Sequence, residues 1–191
     1  MHHVAAPDKP IGWEVNDEQA ADRPLLQFLR FSVGSDAYAV RIELVREILE
    51  VAQMTPLPLM PTFVRGVMNL RGAVVPVVDL SARLGMDATE IGRRTCVIMV
   101  DLAGDEGHGP QSLGVLVEAV HEVFDVEEGA IEGVPRMGTK IDPSFIAGMV
   151  RVRGEVTPAL DFERMLAQQM LSDLIAAHSQ KGSMHALAEA V

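Results

Sequence analysis

Apolar and β-branched residues cluster in short runs separated by polar turns. LLQFLRFSV and AYAVRI flank the turn GSD, which predicts a β-hairpin from Leu25. The segment LVREILEV that follows is too short for its period to decide between helix and strand, and prolines 56, 58 and 61 break it off. VRGVMN and AVVPVVDL then read as two strands joined by a turn at Leu70, Arg71 and Gly72. Gly66 inside the first predicts a bulge. Pro76 inside the second lacks an N–H for the ladder, so it belongs at an edge or an irregularity. Strands interrupted in this way suit a small curved barrel better than a flat sheet. Asp79, SARL and Gly85 form the pattern of a one-turn helix with an acidic cap and a glycine stop. After a connector over 86–94, CVIMVDL, a glycine-rich acidic loop and LGVLVEAVHEVFDV make a second β-rich half.

The two halves resemble each other. A shift of 82 positions lands Phe63 on Phe145, Gly66 on Gly148, Arg71 on Arg153, Gly72 on Gly154, Pro76 on Pro158 and Asp79 on Asp161. A shift of 75 puts Glu43 on Glu118, Val45 on Val120, Glu47 on Glu122 and Val51 on Val126. The offsets differ by 82 − 75 = 7 residues, an insertion for which VEEGAIEGVPRMGTKIDPS is the natural home. The expectation is two similar β units in tandem rather than a many-repeat solenoid. A unit of this size is marginal alone, so the two should pack against each other.

From Phe162 the pattern turns helical. Phe162, Met165, Leu166, Gln169, Met170, Leu174 and Ile175 form an imperfect apolar stripe with Asp161 placed as its cap. Residues 1–24, rich in proline and acidic positions, read as a disordered arm, and 179–191 as a flexible tail.

Composition narrows the function. Of 191 residues 48% are hydrophobic, enough for a sizeable core. A net charge of −11 argues against nucleic acid and anionic membrane surfaces as partners. The single cysteine, Cys96, lies in an apolar run and fits a reducing compartment. No run reaches the ~20 apolar residues of a spanning helix, so a cytoplasmic location is expected. Eleven methionines against 4% aromatics suggest adaptable packing, with Met54, Met60 and Met68 lining either a partner surface or, more commonly, a core.

Candidate chemistry is sparse. Asp79 and Asp161 read foremost as helix caps, with an acid/base pair as the competing role. His121 and His108 lack neighbours at metal or nucleophile spacing, His2 and His3 fall short of a metal site, and no phosphate-cradling glycine motif occurs. No catalytic residue, metal or cofactor is expected. Arg71 offers a forked donor at a hairpin tip, suited to a partner's carboxylate or else simply solvated. Glu47 is one surface carboxylate among many unless it meets Arg71.

FLRFSVGSDAYAVRIELVREILEV and PLPLMPTFVRGVMNLRGAVVPVVDL resemble the CheW family of chemotaxis coupling proteins, over about residues 25–170. The motif G-V-x-N-L-R-G-x-x-x-P-x-x-D is highly specific to that family. The resemblance implies a mainly β fold of two tandem five-stranded SH3-like barrels, about 25–85 and 95–161, with a short helix between them and a C-terminal helix from about 162. It implies a non-catalytic adaptor joining a CheA-type histidine kinase to the cytoplasmic tip of methyl-accepting chemoreceptors, recruited to membrane-associated arrays without touching the membrane itself. It places the coupling surface at Val45, Glu47, Gly66 and Arg71, with Asn69 of the same N-L-R-G turn. Related adaptors serve pilus or surface-sensing pathways, and a free-standing peptide-binding barrel is a further alternative.

Overall fold

The computed structural model describes residues 24–103, 110–134 and 140–166. The predicted hairpin is β1 (Leu25–Val33) and β2 (Asp36–Arg41). The undecided segment is a 3₁₀ turn, Ile42–Leu44, leading into β3 (Val45–Glu50). A two-residue β4 (Met54–Thr55) precedes the central hairpin, β5 (Val64–Leu70) and β6 (Ala73–Asp79), and α1 (Leu80–Arg83). The second half holds β7 (Cys96–Leu102), β8 (Gln111–Val117), β9 (Ala119–Glu127), β10 (Ile146–Val152), β11 (Glu155–Leu160) and α2 (Phe162–Leu166). The apolar stripe predicted beyond Leu166, and both termini, lie outside the described residues.

These strands form two sheets, ordered β10-β11-β2-β1-β9 and β3-β7-β8-β6-β5-β4. The chain is thus mainly β with two SH3-like units, as expected, but the sheets cut across the expected boundary between 85 and 95. Each sheet takes its leading hairpin from one copy of the repeat and its other strands from the other: β1–β2 join β9–β11, and β7–β8 join β3–β6. The registers match position by position. Glu47 faces Met99 across β3 and β7, as Glu122 faces Arg30 across β9 and β1. The bridge Glu132↔Met149 stands where Thr55↔Val67 stands in the other sheet.

This exchange explains why β7 reads as a nearly unbroken apolar run and why β1 carries apolar residues on both of its faces. Val97 and Met99 face the interior of the six-stranded unit with Met68, Val75, Val77 and Leu116. Ile98 and Val100, on the opposite face, enter the largest cluster, where they meet Leu29, Phe31 and Val33 of β1. Phe28 points the other way, into the five-stranded unit, with Val126, Val150 and Ala159. Strands buried on both faces lose the polar alternation of a half-exposed sheet. Met68 is 2% exposed and Met54 packs beside it, so these two methionines fill core space.

Pro76 sits in an inner strand rather than at an edge. Pairing of β6 with β8 begins one residue later, at Val77↔Gly114, so its missing N–H leaves no gap in the ladder. The repeat-related Phe63 and Phe145 hold the Arg83 guanidinium between them, at 5.8 and 4.6 Å from the ring centroids. Arg83 Nε donates to the Met165 carbonyl at 3.1 Å, pinning α2 to α1's end of the other copy.

Candidate partner-binding site

The N-L-R-G segment makes a tight two-residue hairpin turn. Strand β5 ends at Leu70 and β6 starts at Ala73, with Arg71 at φ 51° and Gly72 at φ 88°. Positive φ at both central positions matches the right-handed twist of the flanking strands. Glycine adopts it freely, whereas Arg71 is held there at a cost of about 1 kcal/mol or more. Asn69 helps hold it, accepting from the Gly72 N–H through Oδ1 at 2.9 Å. Asn69 is therefore a turn-forming residue as well as an exposed one.

Arg71 does meet Glu47. Its Nη2 donates to Glu47 Oε2 at 3.0 Å, with the arginine side chain 73% exposed and the glutamate 21%. The second glutamate oxygen, Oε1, is buried and has no hydrogen-bond partner. A buried acceptor without a donor is costly, and an added donor at this point would relieve it. Glu47 lies on the inward side of β3 with Leu49, so the carboxylate stands at the mouth of the six-stranded unit.

The other two predicted residues do different work. Val45 is half-buried against the large inter-unit cluster, and the β3–β7 register slips between it and Glu47, turning Glu47 toward the hairpin tip. Gly66 marks the predicted bulge, at φ 135°, with the register shifting between Val64 and Gly66. A Cβ there would fall 2.3 Å from the Thr55 carbonyl oxygen and 2.8 Å from its carbon. Only glycine lets β5 pass this close to β4. Gly66 lies five residues from Arg71 along β5, about 16 Å at the strand rise. The geometry therefore gathers Glu47, Asn69 and Arg71, while Val45 and Gly66 shape the strands that carry them.

Sequence reasoning missed two exposed apolar residues, one of them beside the turn. Val74 is 68% exposed and pairs with Asn69 across the hairpin. Leu59, 74% exposed, sits in the proline-rich approach at φ 59°. In β6 the run of valines hides which face each occupies. Nothing in the sequence marks Val74 as exposed; its repeat counterpart Val156 is exposed as well.

Asp79 and Asp161 are both caps. Asp79 is fully buried, accepting from Ala82 N and from the N–H and hydroxyl of Thr89, with Arg65 Nη1 at 3.7 Å. Asp161 Oδ1 accepts from Arg164 N at 2.9 Å. The acid/base role would need two carboxylates open to one cleft, and Asp79 is closed off.

These features define a class first: a two-unit β protein that carries an exposed guanidinium and a half-satisfied carboxylate at a hairpin tip. A family model, the CheW-like domain, matches residues 27–170. The chain belongs to the CheW-like family. It is 33% identical over 143 residues to the chemotaxis protein CheW of Rhizobium meliloti, covering 75% of this chain and 88% of that one. It is 31% identical over 163 residues to protein FrzA of Myxococcus xanthus, covering 84% and 93%. The crystal structure of the scaffolding protein TtCheW from Thermoanaerobacter tengcongensis is similar with a TM-score of 0.66 at 28% identity, over 76% of this chain and 90% of that one.

Proposed function

We propose that this CheW-family chemotaxis protein is a non-catalytic adaptor coupling the cytoplasmic tips of chemoreceptors to a CheA-type histidine kinase, and that the Arg71 end of the six-stranded unit makes the contact. The observation that carries the reading is the state of Glu47: one oxygen holds Arg71, and the other is buried without a donor. A partner donor docking there would satisfy Glu47, and a partner carboxylate would engage the rest of the exposed Arg71 fork. Val74 and Asn69, on the adjoining face, add apolar and polar contact beside the charge pair.

The same reading places the chain in the cytoplasm, held at the membrane through its receptor partner. Among the described residues no helix is long and apolar enough to cross a membrane. With −11 net charge, the chain has no electrostatic reason to lie on anionic lipid.

Size-exclusion chromatography of the purified chain with the kinase and a receptor-tip fragment tests the proposal. One co-eluting ternary peak is expected for the wild type, and its loss for Arg71→Ala. No association with either partner, or an unchanged peak with the variant, would refute it.

A further inference from the structure

Strands β2 and β11 run parallel but are in register at one pair only, Ala39↔Ala159. Their counterparts β8 and β6 stay together over three pairs. On the N-terminal side of Ala39 and Ala159 the two strands separate, and a cavity of about 620 Å³ opens in the wall of the five-stranded unit. Its volume is that of a small-molecule site, for which roughly 300–1,000 Å³ is typical. Arg30, Asp36, Tyr38, Lys140, Glu155 and Thr157 line it, with Ile146 and Val156 adding apolar surface.

The polar lining is two opposed ion pairs. Lys140 Nζ lies 2.9 Å from Asp36 Oδ2, and Arg30 Nη2 lies 2.7 Å from Glu155 Oε2. In each pair one member is fixed and one is loose. The Arg30 and Asp36 side chains are 17% and 36% exposed, whereas Glu155 and Lys140 are both 72% exposed. Exposed partners of this kind are weakly held. Arg30 also has a buried Nε without a partner, so one donor of its fork is unused. Glu155 covers that guanidinium and would have to swing aside for a ligand to reach it.

The repeat supplies an internal control. By register, Met99 stands in the other unit where Arg30 stands here, Gln111 for Asp36, Ala73 for Glu155 and Val75 for Thr157. The fold does not require the charged set, because its own second copy does without it. The four charges sum to zero within a chain of net −11, so a ligand carrying net negative charge is disfavoured and a neutral dipolar one is suited.

We propose that this cavity binds a small zwitterion of the amino-acid class, its carboxylate on Arg30 in place of Glu155, its ammonium on Asp36 in place of Lys140, and its apolar side chain against Tyr38 and Ile146. The site is independent of the partner contact at Arg71.

Amide chemical shifts of the full chain, titrated with L-leucine, isopentylamine or 4-methylpentanoate, test it. These probes share one hydrocarbon skeleton and carry both charges, the ammonium alone or the carboxylate alone. Leucine should give saturable shifts at residues 36–38 and 155–157, and each single-charge probe should bind about tenfold more weakly or worse. Arg30→Met, which installs the counterpart residue, should abolish the leucine response. Glu155→Ala, which removes the internal competitor, should strengthen it. No saturable response up to the solubility of leucine, equal responses to all three probes, an undiminished response in Arg30→Met or a weakened one in Glu155→Ala would overturn the proposal.

Discussion

The two hairpin turns, one in each copy of the repeat, share a backbone and differ in how they settle their charge. Arg153 and Gly154 repeat the φ values of Arg71 and Gly72, at 50° and 86°. Arg153 Nη2 also repeats the ion pair, lying 2.6 Å from Glu122 Oε2. Around Glu122, however, Arg30 Nη1 approaches the other oxygen at 3.7 Å and binds Glu155 as well, so that carboxylate lies between two guanidiniums. Around Glu47 the corresponding position is Met99, and Oε1 goes without. Asn69, which ties the first turn to itself, is replaced by Arg151, which pairs with Glu132. Both arginines are exposed, at 73% and 76%, but the carboxylate of one tip is shared between two guanidiniums whereas that of the other keeps an unmet acceptor. The two copies thus share the backbone of the turn and differ in whether its carboxylate is fully engaged.

The comparison is broken most forcefully at the two bulge glycines. Gly66→Ala drives a Cβ into backbone at φ 135° and should destabilise by roughly 3 kcal/mol or more. At Gly148 the nearest atom, at 2.6 Å, is Cγ2 of the Ile131 side chain, with the Glu132 carbonyl at 3.2 Å. That neighbour can move, so Gly148→Ala should cost about 1–2 kcal/mol. Urea denaturation of both variants measures the difference, and equal losses would show that the two bulges are equivalent. Any coupling defect in Gly66→Ala is then expected to accompany a loss of fold stability.

The glutamates come next. Glu122→Gln removes a charge that a mostly buried Arg30 depends on and should cost about 1–2 kcal/mol. Glu47→Gln removes a pair with an exposed arginine and should stay within about 1 kcal/mol of wild type. A larger effect at Glu47 would mean that its pair is structural.

The smallest effect lies at a third repeated pair. Glu43 is held below the ordinary carboxyl range by its hydrogen bond to Arg41, whereas its counterpart Glu118 is raised by burial, with one oxygen unpartnered. A raised carboxyl favours the fold below its unfolded value and opposes it as pH rises through the folded value. Glu118→Gln should therefore match wild type below the ordinary value of 4.5 and become modestly more stable above it. Thermal unfolding across that window checks the sign, and a loss of stability at neutral pH would contradict it.

The sequence made the hairpin tips readable because a Gly following an Arg between two valine-rich runs has few other uses, and because both copies carry it. The helix caps were readable for the same reason, though Asp79's burial under Thr89 needed the fold. The exchange of hairpins between sheets was hidden: strands buried on both faces, such as Cys96–Leu102, are apolar throughout and carry no mark of which sheet they join. The proximity of Glu47 and Arg71 could be posed as a condition but not decided, since it depends on the slip in register after Val45. The orphaned oxygen of Glu47 became visible only once Met99 was placed opposite it.

The most direct test of the coupling surface is kinase activation in a reconstituted mixture of receptor fragment, kinase and this chain, comparing Arg71→Ala with Arg153→Ala. Both should unfold within about 1 kcal/mol of wild type. Activation should collapse for Arg71→Ala and hold much better for Arg153→Ala. Wild-type activation by Arg71→Ala, or equal losses at the two turns, would contradict the assignment of coupling to the open tip.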